Sequence, residues 1–128
     1  MEINYSDILA AHEAIKQLVA RYKAEMSMDL ALACARIRRQ LEAELGVYQE
    51  IRNDLVLEFG DEVEHEGRAV ITVLDGTRKA LDFHRKDREL GNKMVKLNIE
   101  PLDLSGLEHV DADIIDGLLP IISVGNGA

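Results

Sequence analysis

The sequence predicts an α+β protein. An N-terminal antiparallel helical hairpin with one long helix, about 28–59, is followed by a small sheet of two to three strands, one surface helix and a short C-terminal helix. Three observations carry this reading. Leu30, Cys34, Ile37, Leu41, Leu45, Tyr48, Ile51, Leu55 and Phe59 step by three or four residues, which places them on one helical face. The runs "RAVITVL" (68–74) and "KMVKLNIEPL" (93–102) are β-branched or alternating, as strands are. Between them, 77–90 is polar, with sparse apolar anchors at Leu81, Phe83 and Leu90. With 128 residues the chain is long enough to bury a core as one domain. Within that domain the hairpin takes 1–60, an α/β portion takes 61–124, and 125–128 is a fraying tail.

Each element follows from local chemistry. "EINY" (2–5) alternates polar and apolar residues and reads as a short edge strand. Asn4 or Ser6 is placed to cap the next helix, because a side-chain oxygen there accepts from an unpaired N–H. From Asp7 to Tyr22, residues Ile8, Ala11, Ile15, Leu18, Val19 and Tyr22 share one face. After a short connection, Ser27 is the next N-cap, and Asp29 lies in the first turn, where the helix dipole favours a negative charge. The stripe that follows is about 30 residues long, roughly 45 Å at 1.5 Å per residue. Gly46 weakens or bends it by up to about 1 kcal/mol relative to alanine, and Gly60 ends it. Alanines at 10, 11, 14 and 20 opposite 31, 33 and 35 let the two helices approach closely. The long helix outruns its partner, so Gly46 to Phe59 needs another apolar surface, from the rest of the chain or from a second subunit.

Beyond Gly60 the signals are shorter. "GDEVEHEGR" (60–68) is the densest cluster of carboxylates, but glycines bracket it, and it reads as a solvated joint. "RAVITVL" reads as a buried strand closed by the Asp75-Gly76 turn. A helix starts near Thr77 and stops at Gly91-Asn92. In "KMVKLNIEPL", Val95, Leu97 and Ile99 lie on one face and Met94, Lys96 and Asn98 on the other. The sequence leaves open whether these two strands are parallel. A loop over 103–110 leads to a short apolar helix that starts near Asp111 and is broken at Pro120.

Composition excludes several functions. The formal net charge is −9, and every Lys and Arg lies at or before Lys96. This disfavours direct nucleic-acid binding and binding to anionic membranes, both of which need clustered cations. Five Phe and Tyr residues and no Trp leave few platforms for stacking bases. Cys34 is the single cysteine, so there is no internal disulfide, and "ALACARI" reads as small-residue packing. The acidic start "MEINYSDIL" lacks the basic region of a secretion signal. No run approaches the roughly 18 apolar residues of a membrane span. A cytoplasmic protein is expected, in the host cytosol if a phage encodes it.

The candidate chemistry is thin. Glu62, Glu64, His65 and Glu66 include one Glu-x-x-His pair, which on a helix would aim both groups at a metal. Carboxylate-bridged metal sites in bundles need two such pairs, so no metal is assigned. Asp82, His84, Asp87 and Glu89 read as an exposed ion-pair lattice, with Arg85 facing Glu89. His12 lacks the second histidine of a zinc-protease helix. His109 has only acidic neighbours. No phosphate loop, dinucleotide fingerprint or nucleophile turn occurs, so no catalytic or cofactor-binding residue is assigned and no cofactor is expected.

The order helical hairpin, "LEFGDE", glycine turn and strand, "LDFHRKDREL", "VKLNIEPLDLSGLE", and a short acidic helix ending "LLPII" resembles small bacteriophage- and prophage-encoded proteins of unknown function. The resemblance spans most of the chain as a pattern of spacing and residue class. It implies a non-enzymatic accessory that acts through protein contacts, in a structural or assembly role, with a phage protein, a host protein or a second copy as partner. Tyr48, Ile51, Leu55 and Phe59 on the long helix are the candidate self-association residues. Glu108, Asp111, Asp113 and Asp116 define the alternative, a host-directed inhibitor that places its base-free acidic segment on a nucleic-acid-binding host protein. A small metal-dependent enzyme is the remote third reading.

Overall fold

The computed structural model describes residues 1–122. The elements are β1 (Glu2–Asn4), α1 (Tyr5–Tyr22), a 3₁₀ turn (Lys23–Glu25), α2 (Met28–Phe59), β2 (Asp61–His65), β3 (Arg68–Thr72), α3 (Arg78–Gly91), β4 (Met94–Lys96) and α4 (Ala112–Leu118). This is the α+β arrangement that the sequence predicts. The chain groups into two compact units, one of Met1–Leu45 with the chain from Met94 onward, the other of Gly46–Lys93. The boundary falls within α2, which runs unbroken through Gly46. The tail expected to fray, 125–128, lies outside the described residues, as does the end of the segment expected to form the last helix.

The first unit is built on α1. Asn4 caps it, its Oδ1 accepting from the Asp7 N–H at 2.8 Å. Ile8, Ala11, Ile15 and Leu18 are buried as their spacing requires, and Ala14 joins them. Val19 is half-buried. Ser27 starts α2, its Oγ accepting from the Leu30 N–H at 3.1 Å. Leu30, Cys34, Ile37 and Leu41 form its buried stripe here. The Tyr5 hydroxyl donates to Glu44 Oε1 at 3.1 Å, and His12 meets Glu42 at 3.1 Å, so the two helices run antiparallel. Strands β1 and β4 pair antiparallel, with Glu2 opposite Lys96 and Asn4 opposite Met94. The predicted alternation holds around β4, with Leu97 buried and Met94 exposed.

The close helix approach falls elsewhere than expected. Ala10, Ala31 and Ala35 are exposed. It is α4 that comes close to α1. A Cβ built on Gly117 would lie 2.7 Å from Ala14 Cβ and 3.0 Å from the Ala10 carbonyl oxygen. The small residues of α1 serve that crossing, and Ile114 and Leu118 of α4 are buried. Beyond α4, the Leu102 N–H donates to the Ile121 carbonyl at 2.7 Å and ties the chain after α4 to the loop before it.

The second unit departs most from the sequence reading. The stretch 60–68 is not an irregular joint. Residues Asp61 to His65 form β2, which pairs with β3 as an antiparallel hairpin running from Asp61↔Thr72 to His65↔Arg68. The turn consists of Glu66 and Gly67, both at positive φ, 51° and 78°. Two successive residues with positive φ define the tight turn that matches strand twist. Because β4 pairs with β1, "RAVITVL" and "KMVKLNIEPL" belong to different sheets. Nor is "RAVITVL" a buried strand: every residue of β3 is exposed. A two-stranded ribbon has two faces, and burying both takes a further layer on each. Its β-branched side chains therefore meet solvent. Gly60 is needed for a reason other than a left-handed helix end, since its φ is not positive. A Cβ there would strike the Val56 carbonyl oxygen and lie 2.6 Å from Ile71 Cγ2.

Helix α3 begins where expected. Thr77 Oγ1 accepts from the Ala80 N–H at 3.1 Å and donates to the Leu74 carbonyl at 2.8 Å. Its inward residues are Ala80 and Phe83, whereas Leu81, expected as an anchor, is 71% exposed. Positions 80 and 83 are one helical step of three apart, and 81 is turned away from them. Arg85 pairs with Asp82 rather than with Glu89.

One prediction arises from the turn. A non-glycine residue in the left-handed region costs about 1 kcal/mol, and asparagine tolerates it best. Glu66→Asn is therefore expected to stabilise the chain by a few tenths to about 1 kcal/mol, measured as a higher denaturant midpoint at unchanged slope.

Candidate protein-interaction surface

The polar clusters separate once they are placed in space. Side chains alternate along a strand, so Glu62 and Glu64 project from one face of β2 while Asp61, Val63 and His65 project from the other. The Glu62–His65 pair, which only a helix would bring together, is thus split. Among the described residues, no group of three or more His, Cys, Asp or Glu side chains is arranged to hold a metal ion.

On α3, Asp87 accepts from Arg52 Nε at 3.0 Å, and Asp82 is paired with Arg85. Arg52 also lies over the Phe83 ring, with its guanidinium carbon 5.8 Å from the centroid, and so it clamps the buried phenyl ring of this unit. His84 meets the same ring edge-on at 5.5 Å. Lys79 donates to Asp61 Oδ1 at 2.9 Å. These contacts tie α3 to α2 through Arg52–Asp87 and to β2 through Lys79–Asp61.

The first unit holds a small network. Glu42 meets His12 at 3.1 Å and accepts from Arg38 at 3.3 Å. The hydrogen bond from His12 first, and that from Arg38 second, hold the Glu42 carboxyl below the usual carboxylate range. Cys34 is 1% exposed, and burial pushes its thiol up, the opposite of what a reactive thiolate requires. Asp103 accepts from the Ser105 N–H at 3.0 Å, which lowers its carboxyl and fixes a turn.

The base-free acidic segment is not free of bases in space. Arg21 of α1 reaches Asp111 at 2.5 Å and Asp113 at 3.9 Å. The Asp111 N–H also donates to the Tyr22 hydroxyl at 3.1 Å. All four candidates there are exposed, and Asp111 and Asp113 also face Arg21 of α1. Sequence alone could not find this, because Arg21 and Asp111 lie 90 residues apart.

The apolar candidates on α2 also divide. Tyr48 is buried, Leu55 and Phe59 are half-buried, and Ile51 is 44% exposed. Val47, one turn before Ile51 on the same face, is exposed with it. Sequence reasoning missed Val47, because it lies off the nine-residue stripe. Also missed was the outward exposure of Val70, Ile71 and Leu74. The signal that could have found it was in the turn: Glu66-Gly67 between two five-residue runs marks a hairpin, and an isolated hairpin cannot bury both faces.

The result is an uneven distribution of apolar surface. In Gly46–Lys93 the buried apolar side chains are Tyr48, Ala80 and Phe83, whereas Val47, Ile51, Leu57, Val70, Ile71, Leu74 and Leu81 are exposed. In the other unit Ile8, Ile15, Leu18, Leu41, Ile114 and Leu118 are fully enclosed. No family model, no curated protein and no solved structure matches this chain. Among the described residues, no helix is long and apolar enough to cross a membrane.

Proposed function

We propose that this chain is a non-enzymatic accessory protein that acts by protein–protein contact, of the kind carried by phages and prophages, and that residues 46–93 make the contact. One observation carries the reading: this unit exposes more large apolar side chains than it buries. Apolar surface gains about 25 cal/mol for each Å² removed from water. A unit this short, with so little of its own core, is completed most favourably by a partner's surface. The acidic-segment reading is favoured less, because Arg21 already occupies Asp111 and Asp113.

The test is short-range cross-linking in the producing cell, with the linked sites mapped by mass spectrometry. Links from 46–93 to another protein or to a second copy are expected, and Ile51→Lys with Leu74→Lys should remove those to another protein while the purified variant keeps the wild-type helix content. Links confined to 97–122, unaffected by those changes, would overturn the assignment.

A further inference from the structure

We propose that the partner is a second copy, docked through the outer edge of β3, so that two hairpins form one four-stranded antiparallel sheet across a twofold axis. This rests on the contact reading above and gives it an occupant.

The geometry begins at the turn. In a hairpin with a two-residue turn, the residues flanking the turn exchange both backbone hydrogen bonds. Here they are His65 and Arg68, and the alternation then places Val63↔Val70 and Asp61↔Thr72 in the same class. The N–H and C=O groups of Arg68, Val70 and Thr72 thus point at β2, and those of Ala69 and Ile71 point away from it. Among the described residues the hairpin is a complete two-stranded sheet, so no strand pairs with that outer edge. All five residues of β3 are exposed.

Charge decides between the two edges. Pairing β2 with its own copy about Val63 would set Glu62 directly opposite the copy's Glu64, twice. Like charges directly opposite one another destabilise a sheet, and charged strands are a common way of protecting an edge. Strand β3 has no carboxylate. Paired with its copy about Val70, it sets Val70 against Val70, Ala69 against Ile71 and Arg68 against Thr72. The outward groups of Ala69 and Ile71 become the hydrogen-bonded pairs, and Val70 becomes the close non-bonded pair. The register is self-complementary, as a twofold interface requires, and it closes at two copies. It also covers Val70 and Ile71, which are 38% and 45% exposed in the single chain.

Light scattering after size-exclusion chromatography of the full chain should show a dimer that dissociates on dilution. Val70→Lys places two ammonium groups against each other and should return the monomer. Ala69→Pro removes an outward donor and should do the same. Both should retain wild-type circular dichroism, because position 70 is solvent-facing and the Ala69 N–H does not serve β2. Val70→Cys should form a cross-chain disulfide under mild oxidation, with buried Cys34 silent, whereas Glu64→Cys on the other strand should not. A monomer at all concentrations, a dimer indifferent to both substitutions at 69 and 70, or assemblies larger than two would overturn the proposal. If the chain is monomeric while Ile51→Lys and Leu74→Lys still abolish links to a foreign protein, the second-copy proposal falls and the contact reading stands.

Discussion

Replacing Phe83 with alanine is expected to unfold residues 46–93 while leaving the rest of the chain folded. Phe83 is 5% exposed and is one of three buried apolar side chains in that unit, with Tyr48 and Ala80. A buried Phe→Ala change costs about 3–5 kcal/mol in lost burial and cavity. The Arg52 guanidinium over the ring adds about 0.5–1 kcal/mol, which is lost with it. A unit with so few buried side chains has little with which to offset such a loss. Limited proteolysis should cut the variant within 46–93 at once, while 1–45 and 94–122 stay resistant. Leu81→Ala on the same helix is the control: at 71% exposure it should change stability by no more than about 0.5 kcal/mol. Equal effects of the two substitutions would contradict the assignment of the inward face of α3.

The second large effect concerns two helical glycines with opposite outcomes. Gly117→Val should destabilise the chain by about 3 kcal/mol, at the upper end of overpacking costs. A Cβ at 117 already collides with Ala14 Cβ at 2.7 Å, and the next atom is the Ala10 backbone oxygen at 3.0 Å, which no rotamer change can move. Two further methyl groups force α4 off α1 and strain the Arg21–Asp111 contact. Gly46→Ala should instead stabilise by up to about 1 kcal/mol, because nothing lies within 4 Å of its Cβ and alanine is the better helix former. Denaturant unfolding of both variants reads the difference. A neutral Gly117→Val would mean that α4 does not pack as described.

The sequence was most legible where one residue's neighbours decide its role. Capping depends on a side chain and an N–H three residues away. Ser27 caps α2 as expected, and of the two alternatives Asn4 and Ser6 it is Asn4 that caps α1. The helix expected to start near Thr77 does so with Thr77 itself as its cap. The stripe from Leu30 to Leu41 is periodic and is buried. Misreadings arose where the outcome depended on distant chain. "RAVITVL" has the composition of a buried strand, but burial needs a second layer, and composition does not reveal whether one is there. The alanines of α1 announce a close approach without naming the partner, which is Gly117 rather than the alanines of α2. The acidic final third looked unneutralised because Arg21 is remote in sequence. For the candidate surface, the α2 stripe pointed to the unit with exposed apolar surface through Ile51, but Tyr48 turned inward and the hairpin's contribution went unread.

Native-state hydrogen exchange of the whole chain, at low and at high protein concentration, tests the central claim that residues 46–93 bear apolar surface made for contact. In dilute solution the amides of α1 and of the first half of α2 should exchange only through global unfolding, and those of β2, β3 and α3 through easier local opening. At high concentration, protection should rise in 46–93, most of all at Ala69 and Ile71, and stay unchanged elsewhere. Equal protection of both units in dilute solution, with no change on concentration, would contradict the account.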